Sequence, residues 1–181
     1  MKTSSSKRFT LIELLVVIAI IAILAGLMFP ALGTVRNNAR KSKASTECQS
    51  LKAAIVLYES EFSCWPSSGS GNDATVTDYK GLCKALTGDN SKKMIFYEVG
   101  VGYDETKGIL DPWGREYRVV LDYNFDGKID KSVDVIGAVN SGTGRSGDLR
   151  ASVAVYSYGV YPKDGTNLTD LAKKKKLVTS W

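Results

Sequence analysis

Hydrophobic and polar positions change their pattern twice along the chain. Residues 9–35, FTLIELLVVIAIIAILAGLMFPALGTV, are apolar almost throughout, and no Asp, Glu, Lys or Arg occurs from Leu14 to Val35. Such a run is long enough for a helix to cross a bilayer, which takes roughly 20 apolar residues. From residue 36 the pattern becomes amphipathic. Ala44, Cys48, Leu51, Ile55, Tyr58 and Phe62 recur at three- and four-residue spacing, with Lys41, Lys43, Glu47, Lys52 and Glu59 among them. This predicts a helix with one apolar stripe turned toward a folded head and its charges in water. No Gly/Ser-rich linker divides the two stretches, so residues 10–62 read as one helix with a weak point at Gly26–Pro30. Proline removes a backbone donor and crowds the preceding turn there, which predicts a kink or local melting.

After Trp65-Pro66 the composition shifts to a Ser/Gly-rich loop that ends the helix. Residues 78–87 then suit a short helix through Tyr79, Leu82, Cys83 and Leu86. Short runs rich in Val, Ile, Tyr and Phe predict strands at Met94–Val99, Glu116–Leu121, Val133–Ile136 and Val153–Tyr158. The predicted fold class is therefore α+β: a long N-terminal helix, membrane-spanning in its first half, packed on a small antiparallel sheet. Four stretches follow one another: a basic leader over 1–8, an apolar helix over 9–35, its amphipathic half over 36–64, and a β-rich head over 65–181.

Composition narrows the chemistry. The net charge of +5 is modest and comes largely from Lys2, Lys7 and Arg8, the Arg36–Lys43 cluster and Lys173–Lys176. Placed on either side of an apolar run and in a solvated tail, these charges suit a membrane flank better than nucleic acid. Histidine is absent, which removes the commonest general base and metal ligand and leaves no nucleophile–base set for an enzyme. The three cysteines, Cys48, Cys64 and Cys83, have no zinc-type spacing. Two arrangements stay open for them: a Cys64–Cys83 disulfide in a head outside the cytoplasm, or three free thiols.

One carboxylate, Glu13, interrupts the start of the apolar run. A lone Glu in a membrane helix costs several kcal/mol and marks a functional position. No cation follows within a turn, so a positive group on a neighbouring chain, such as a free amine, would answer it. The segment FTLIELLVVIAIIAILAGLMFPAL resembles the N-terminal signature of type IV pilins and type II secretion pseudopilins. That resemblance implies cleavage between Arg8 and Phe9 by a prepilin peptidase and methylation of the new Phe9 amine. It also implies a registering role for Glu13 during assembly and a helix-breaking role for Pro30. The family normally carries glycine where this chain has Arg8. A bulkier residue there hinders close approach of the peptidase to the backbone.

Asp111-Pro112-Trp113-Gly114 is a turn signal, since proline presets one backbone angle and glycine permits a positive one. Taken with VAVYSYG and the terminal Trp181, it resembles the C-terminal half of major type II secretion pseudopilins. Asp122, Asn124, Asp126, the Lys128 carbonyl and Asp130 have the spacing of a calcium loop with Gly127 at its sharp turn. The twelfth position is Val133 rather than an acid, and the same residues also suit a plain Asp-Gly hairpin turn. In major pseudopilins a calcium ion sits in the loop after the Tyr-Ser strand. Here that loop offers only Asp164 and Asp170, followed by four lysines.

The resemblance implies a structural subunit of a secretion-type filament, assembled from the inner membrane, and it rather than the ambiguous charge balance places the head outside the cytoplasm. The implied partners are further copies of the chain, other pseudopilins, a prepilin peptidase, an assembly platform and, before assembly, lipid. The alternative is a type IV or competence pilin that binds surfaces or captures DNA through its basic surface. A salt-dependent DNA shift by the head would mark it.

Overall fold

A computed structural model describes residues 10–69, 71–100, 102–133, 136, 147–159 and 177–181, with the side chains of residues 27–32 excepted. The chain divides into two compact units at Ala39/Arg40. In the first, the described part is the start of helix α1, Leu11–Phe62. Thr10 precedes it, and the helix runs through Gly26 and Pro30 without a break, so the expected local melting does not occur. The apolar side chains from Leu11 to Leu24 are exposed on every side, among them Leu11 at 88% and Ile23 at 64%. Among the described residues no helix is long and apolar enough to cross a membrane.

The second unit is the head. It contains the rest of α1, a short helix α2 (Tyr79–Leu86), and strands β1 (Ala74–Thr75), β2 (Tyr103–Asp104), β3 (Gly108–Ile109), β4 (Arg118–Leu121), β5 (Val153–Ser157) and β6 (Val178–Thr179). The main sheet runs β1-β4-β5-β6 with antiparallel neighbours, and β2 and β3 form a separate hairpin. In the central pair Val119 faces Val155 and Leu121 faces Val153.

The predicted stripe on α1 is the one that packs. Ala44, Cys48, Leu51, Ala54 and Ile55 are buried with Leu82 and Leu86 of α2 and with Val119, Leu121, Val153 and Val155 from one sheet face. Side chains alternate along a strand, so Val120, Ala154 and Tyr156 point to the opposite face. There they form a second cluster with Ile129, against which Leu149 and Trp181 pack. Both faces are covered, which is why the central strands read as unbroken apolar runs. Asp78 caps α2 by accepting from the Gly81 amide at 2.8 Å.

Several sequence expectations are corrected here. Met94–Val99 is a loop rather than a strand, because its backbone bonds leave the sheet: the Phe96 and Tyr97 amides donate to the Leu86 carbonyl at 2.9 and 3.1 Å. Of Val133–Ile136, residues 134 and 135 lie outside the described set, and neither Val133 nor Ile136 is in a strand. Glu47, expected in water, accepts a hydrogen bond from the buried Tyr117 hydroxyl instead. Cys64 and Cys83 do not pair. α2 turns Cys83 into the core, while Cys64 stays exposed beyond the end of α1, so all three thiols are free.

Candidate functional site

The N-terminal end of α1 is built around Glu13. Its carboxylate accepts from the Thr10 amide at 2.8 Å and from the Thr10 hydroxyl at 2.9 Å. The Glu13 amide in turn donates to Thr10 Oγ1 at 3.3 Å. This is a reciprocal capping box, which satisfies amides that the first helical turn leaves without carbonyl partners. Within one chain the carboxylate thus has neutral donors, and no cation is needed to hold its position. The Thr-x-x-Glu spacing carries this signal in the sequence, where a lone carboxylate points first to a cationic partner. Arg8 and Phe9 lie outside the described residues, as does the side chain of Pro30.

In the head, the two landmark motifs meet at one buried carboxylate. Asp111 stands at the start of the turn, closed by the Gly114 amide on the Asp111 carbonyl at 2.8 Å. Gly114 has φ +78°, the left-handed conformation this turn requires. One oxygen of Asp111 accepts from the Trp113 and Arg115 amides, both at 2.9 Å. The other accepts from Ser157 Oγ at 2.6 Å and lies 3.9 Å from Arg115 Nε. Ser157 closes β5, and its hydroxyl also accepts from the Gly159 amide at 3.0 Å. The Asp-Pro-Trp-Gly turn and the Tyr-Ser-Tyr-Gly strand end are therefore two halves of one latch. Trp113 packs partly buried against the core, and Trp181 meets Tyr156 edge-on at 6.5 Å.

The Asp122–Asp130 loop leaves the end of β4 and passes under the end of α1. Asp122 is buried and accepts from the Asp126 and Gly127 amides at 3.3 and 2.9 Å. Asn124 accepts from the Asp126 amide and Asp126 from the Lys128 amide. Phe125 and Gly127 both take left-handed φ, +58° and +80°. Ile129 then bridges to Leu149 on the approach to β5, so the Asp-Gly turn is an excursion within the β4–β5 connection rather than a tight turn joining the two strands directly. Trp65 fixes the loop to the helix end, donating from Nε1 to the Asp122 carbonyl at 2.7 Å and stacking on Phe125 at 5.4 Å.

A residue that the sequence reading missed, Asp73, reaches this loop from the segment before β1. Its Oδ2 accepts from the Asp130 amide at 2.8 Å, while its Oδ1 is buried without a hydrogen-bond partner. Burial, together with the nearby Asp122, Asp126 and Asp130 carboxylates, raises the Asp73 acid above its usual range despite that amide. Nothing in local spacing could have brought Asp73 to the loop, because strand pairing does so. Among the described residues no three His, Cys, Asp or Glu side chains are grouped so as to hold a metal ion. Asp164 and Asp170 lie outside the described residues.

Comparisons with known proteins bear on the N-terminal helix and on about two thirds of the chain. The family model for the prokaryotic N-terminal methylation motif matches residues 9–29. Type II secretion system core protein G of Aeromonas hydrophila is 33% identical over 122 residues, covering 67% of this chain and 77% of the relative. Its namesake in Klebsiella michiganensis is 30% identical over 120 residues, covering 66% and 77%. A fimbrial protein of Neisseria meningitidis is 41% identical over 76 residues, covering 41% and 45%. No solved structure matches the chain. The methylation motif on a capped apolar helix and this similarity reaching well into the head lead to one conclusion: the chain belongs to the type II secretion core protein G family, the major pseudopilins.

Proposed function

We propose that this chain is a structural subunit of an envelope filament that serves a type II secretion-like export system. The observation that carries the reading is the first part of α1: apolar side chains exposed on all sides, with one capped carboxylate at the tip. A helix apolar all round is stable only in lipid or among other helices. Subunits wait in the inner membrane with the head outside the cytoplasm, and assembly exchanges lipid contacts for contacts between copies. The work is mechanical rather than catalytic. Cleavage between Arg8 and Phe9 by a prepilin peptidase frees the amine, which is methylated. Glu13 pairs with the amine of an adjacent copy and so sets axial register.

Mass spectrometry of the protein from its own membrane tests the processing step. A mature N-terminus at methylated Phe9 is expected, and an intact Met1 in assembled filaments overturns the scheme. In Glu13→Ala, filament incorporation should fail while membrane insertion survives. Normal incorporation removes the role given to that carboxylate.

The Asp122–Asp130 loop is the candidate calcium site. Support comes from the alternating oxygen side chains, the left-handed turn at Gly127 and the unpartnered Asp73 Oδ1 beside them. Asp122, Asn124, Asp126, Asp130 and the Lys128 carbonyl would hold the ion, with Asp73 in place of the acid missing at Val133, only after the carboxylates converge, since no three of them are grouped for a metal in this arrangement. A bound calcium ion would neutralise this crowded set of carboxylates and order the outer end of the head. Millimolar calcium should raise the melting temperature of the full chain in detergent, and Asp126→Ala should abolish the gain. An equal gain in Asp126→Ala rejects this site.

A further inference from the structure

Two apolar patches on the head stand exposed among the described residues. One lies on α1, where Val56 is 41% and Leu57 57% exposed. The other lies on the loop after α2, where Met94 is 40% and Ile95 66% exposed. This loop is rigidly held. Asn90 clasps Met94, with its Nδ2 on the Met94 carbonyl at 2.6 Å and the Met94 amide on its Oδ1 at 3.0 Å. Two residues beyond Met94, Phe96 sets its ring 5.3 Å from Tyr58 and 6.0 Å from Phe62. Met94 and Ile95 are thus presented to solvent by a fixed backbone, the arrangement that lowers the ordering cost of docking.

The patches cannot cover each other in one molecule. At 3.6 residues per turn, Val56 lies roughly 200° round α1 from Tyr58, the residue that Phe96 meets. Their charges are also complementary. Lys52 stands one turn before Val56, and Glu98 follows Ile95 by three residues. Among the described residues neither Lys52 nor Glu98 has an ion-pair partner, whereas nearby Lys92 is held by Glu61 and Lys93 by Asp89.

We propose that adjacent copies of this chain join through these patches. Val56 and Leu57 of one copy receive Met94 and Ile95 of the next, with Lys52 facing Glu98. The inference rests on the filament reading and names the surfaces by which heads dock. Unlike patches on one molecule make a heterologous contact, which does not close in a pair and propagates along a filament. A twofold dimer would have to make both Val56–Ile95 contacts at once on a single face, which patches on opposite sides of α1 do not allow.

The test uses the full chain in envelopes that assemble filaments, in a Cys64→Ser background that removes the exposed native thiol. Oxidation of V56C/I95C should give a ladder of covalent multimers at whole multiples of the chain mass, and V56C or I95C alone should not. Filaments that can be sheared from the cells but yield no ladder overturn the docking and leave the filament reading intact. A cross-link only to a different protein overturns it as well. If the unmodified chain forms no filament, both readings fall. A charge exchange gives a second readout that needs no new thiol. Like charges across an interface oppose docking, so Lys52→Glu should lower sheared filament by about tenfold or more, equivalent to about 1.4 kcal/mol or more. Adding Glu98→Lys should restore most of it. A double variant as poor as Lys52→Glu refutes the pairing.

Discussion

Asp111→Ala should be the most damaging single change in the head that leaves the apolar core untouched. The carboxylate is fully buried and accepts three hydrogen bonds, from the Trp113 and Arg115 amides and from Ser157 Oγ, with Arg115 Nε at 3.9 Å. Alanine leaves those donors facing a gap. Each unsatisfied donor costs about 1–3 kcal/mol, and the relief of desolvating one carboxylate offsets part of the sum. Removing one partner of a buried charged network costs about 3–5 kcal/mol, which is the net loss expected here. In a head of this size that corresponds to a fall of roughly 10–15 °C in Tm. Ser157→Ala removes one of the three bonds and should lose only about 1–2 kcal/mol. Because both act on one latch, the double variant should lose less than the sum of the singles. Urea unfolding of the full chain in detergent, followed by near-ultraviolet dichroism of the head aromatics, measures all three. An Asp111→Ala loss below about 1 kcal/mol, or additive singles, refutes the latch.

Further outcomes follow from the same contacts. Only Cys64 should react quickly with a thiol reagent at pH 8, because burial, reinforced by Glu47 and Asp111, pushes the Cys48 thiol up to about 12 and burial raises Cys83; a second fast thiol contradicts the packing. The unfolded Cys48 thiol ionises earlier than the folded one, so its contribution is complete below pH 9 and is lost as pH rises toward about 12. Alkaline titration of unfolding should show that decline, reduced in Cys48→Ala. Gly108→Ala should destabilise by about 2–3 kcal/mol, since Gly108 has φ +89° and an added Cβ would come 2.8 Å from Cys83 Sγ; chemical denaturation reads it, and a neutral result would show that the hairpin shifts freely. Trp65→Phe keeps a ring on Phe125 but loses the bond to the Asp122 carbonyl, at a cost of about 1–2 kcal/mol by the same assay; an unchanged stability removes the tie between helix end and loop.

Helix periodicity made much of the fold legible, and its failures have physical causes. The stripe Ala44, Cys48, Leu51 and Ile55 was readable because a helix repeats locally, and the structure buries those four. The expected strand at Met94–Val99 has strand-type composition, but its amides bond to the end of α2, and composition does not report backbone partners. Strands of two residues, such as β1 and β6, are too short to carry a period and exist only through pairing with β4 and β5. The site divides in the same way. Glu13 and the Asp122–Asp130 oxygens stand out in sequence because each is defined by near neighbours.

By itself the sequence determined what depends on short range: the apolar run, the amphipathic stripe, the Thr10–Glu13 spacing and the turn at Asp111–Gly114. Tertiary structure alone decided which distant groups meet. It set Asp111 on Ser157, Tyr117 on Glu47, Trp65 on the Asp122 carbonyl and Asp73 beside the loop. It also separated Cys64 from Cys83 and left Val56 and Ile95 facing solvent. The reason is that burial and hydrogen bonding between remote segments follow from sheet register and helix docking, and no local pattern encodes either.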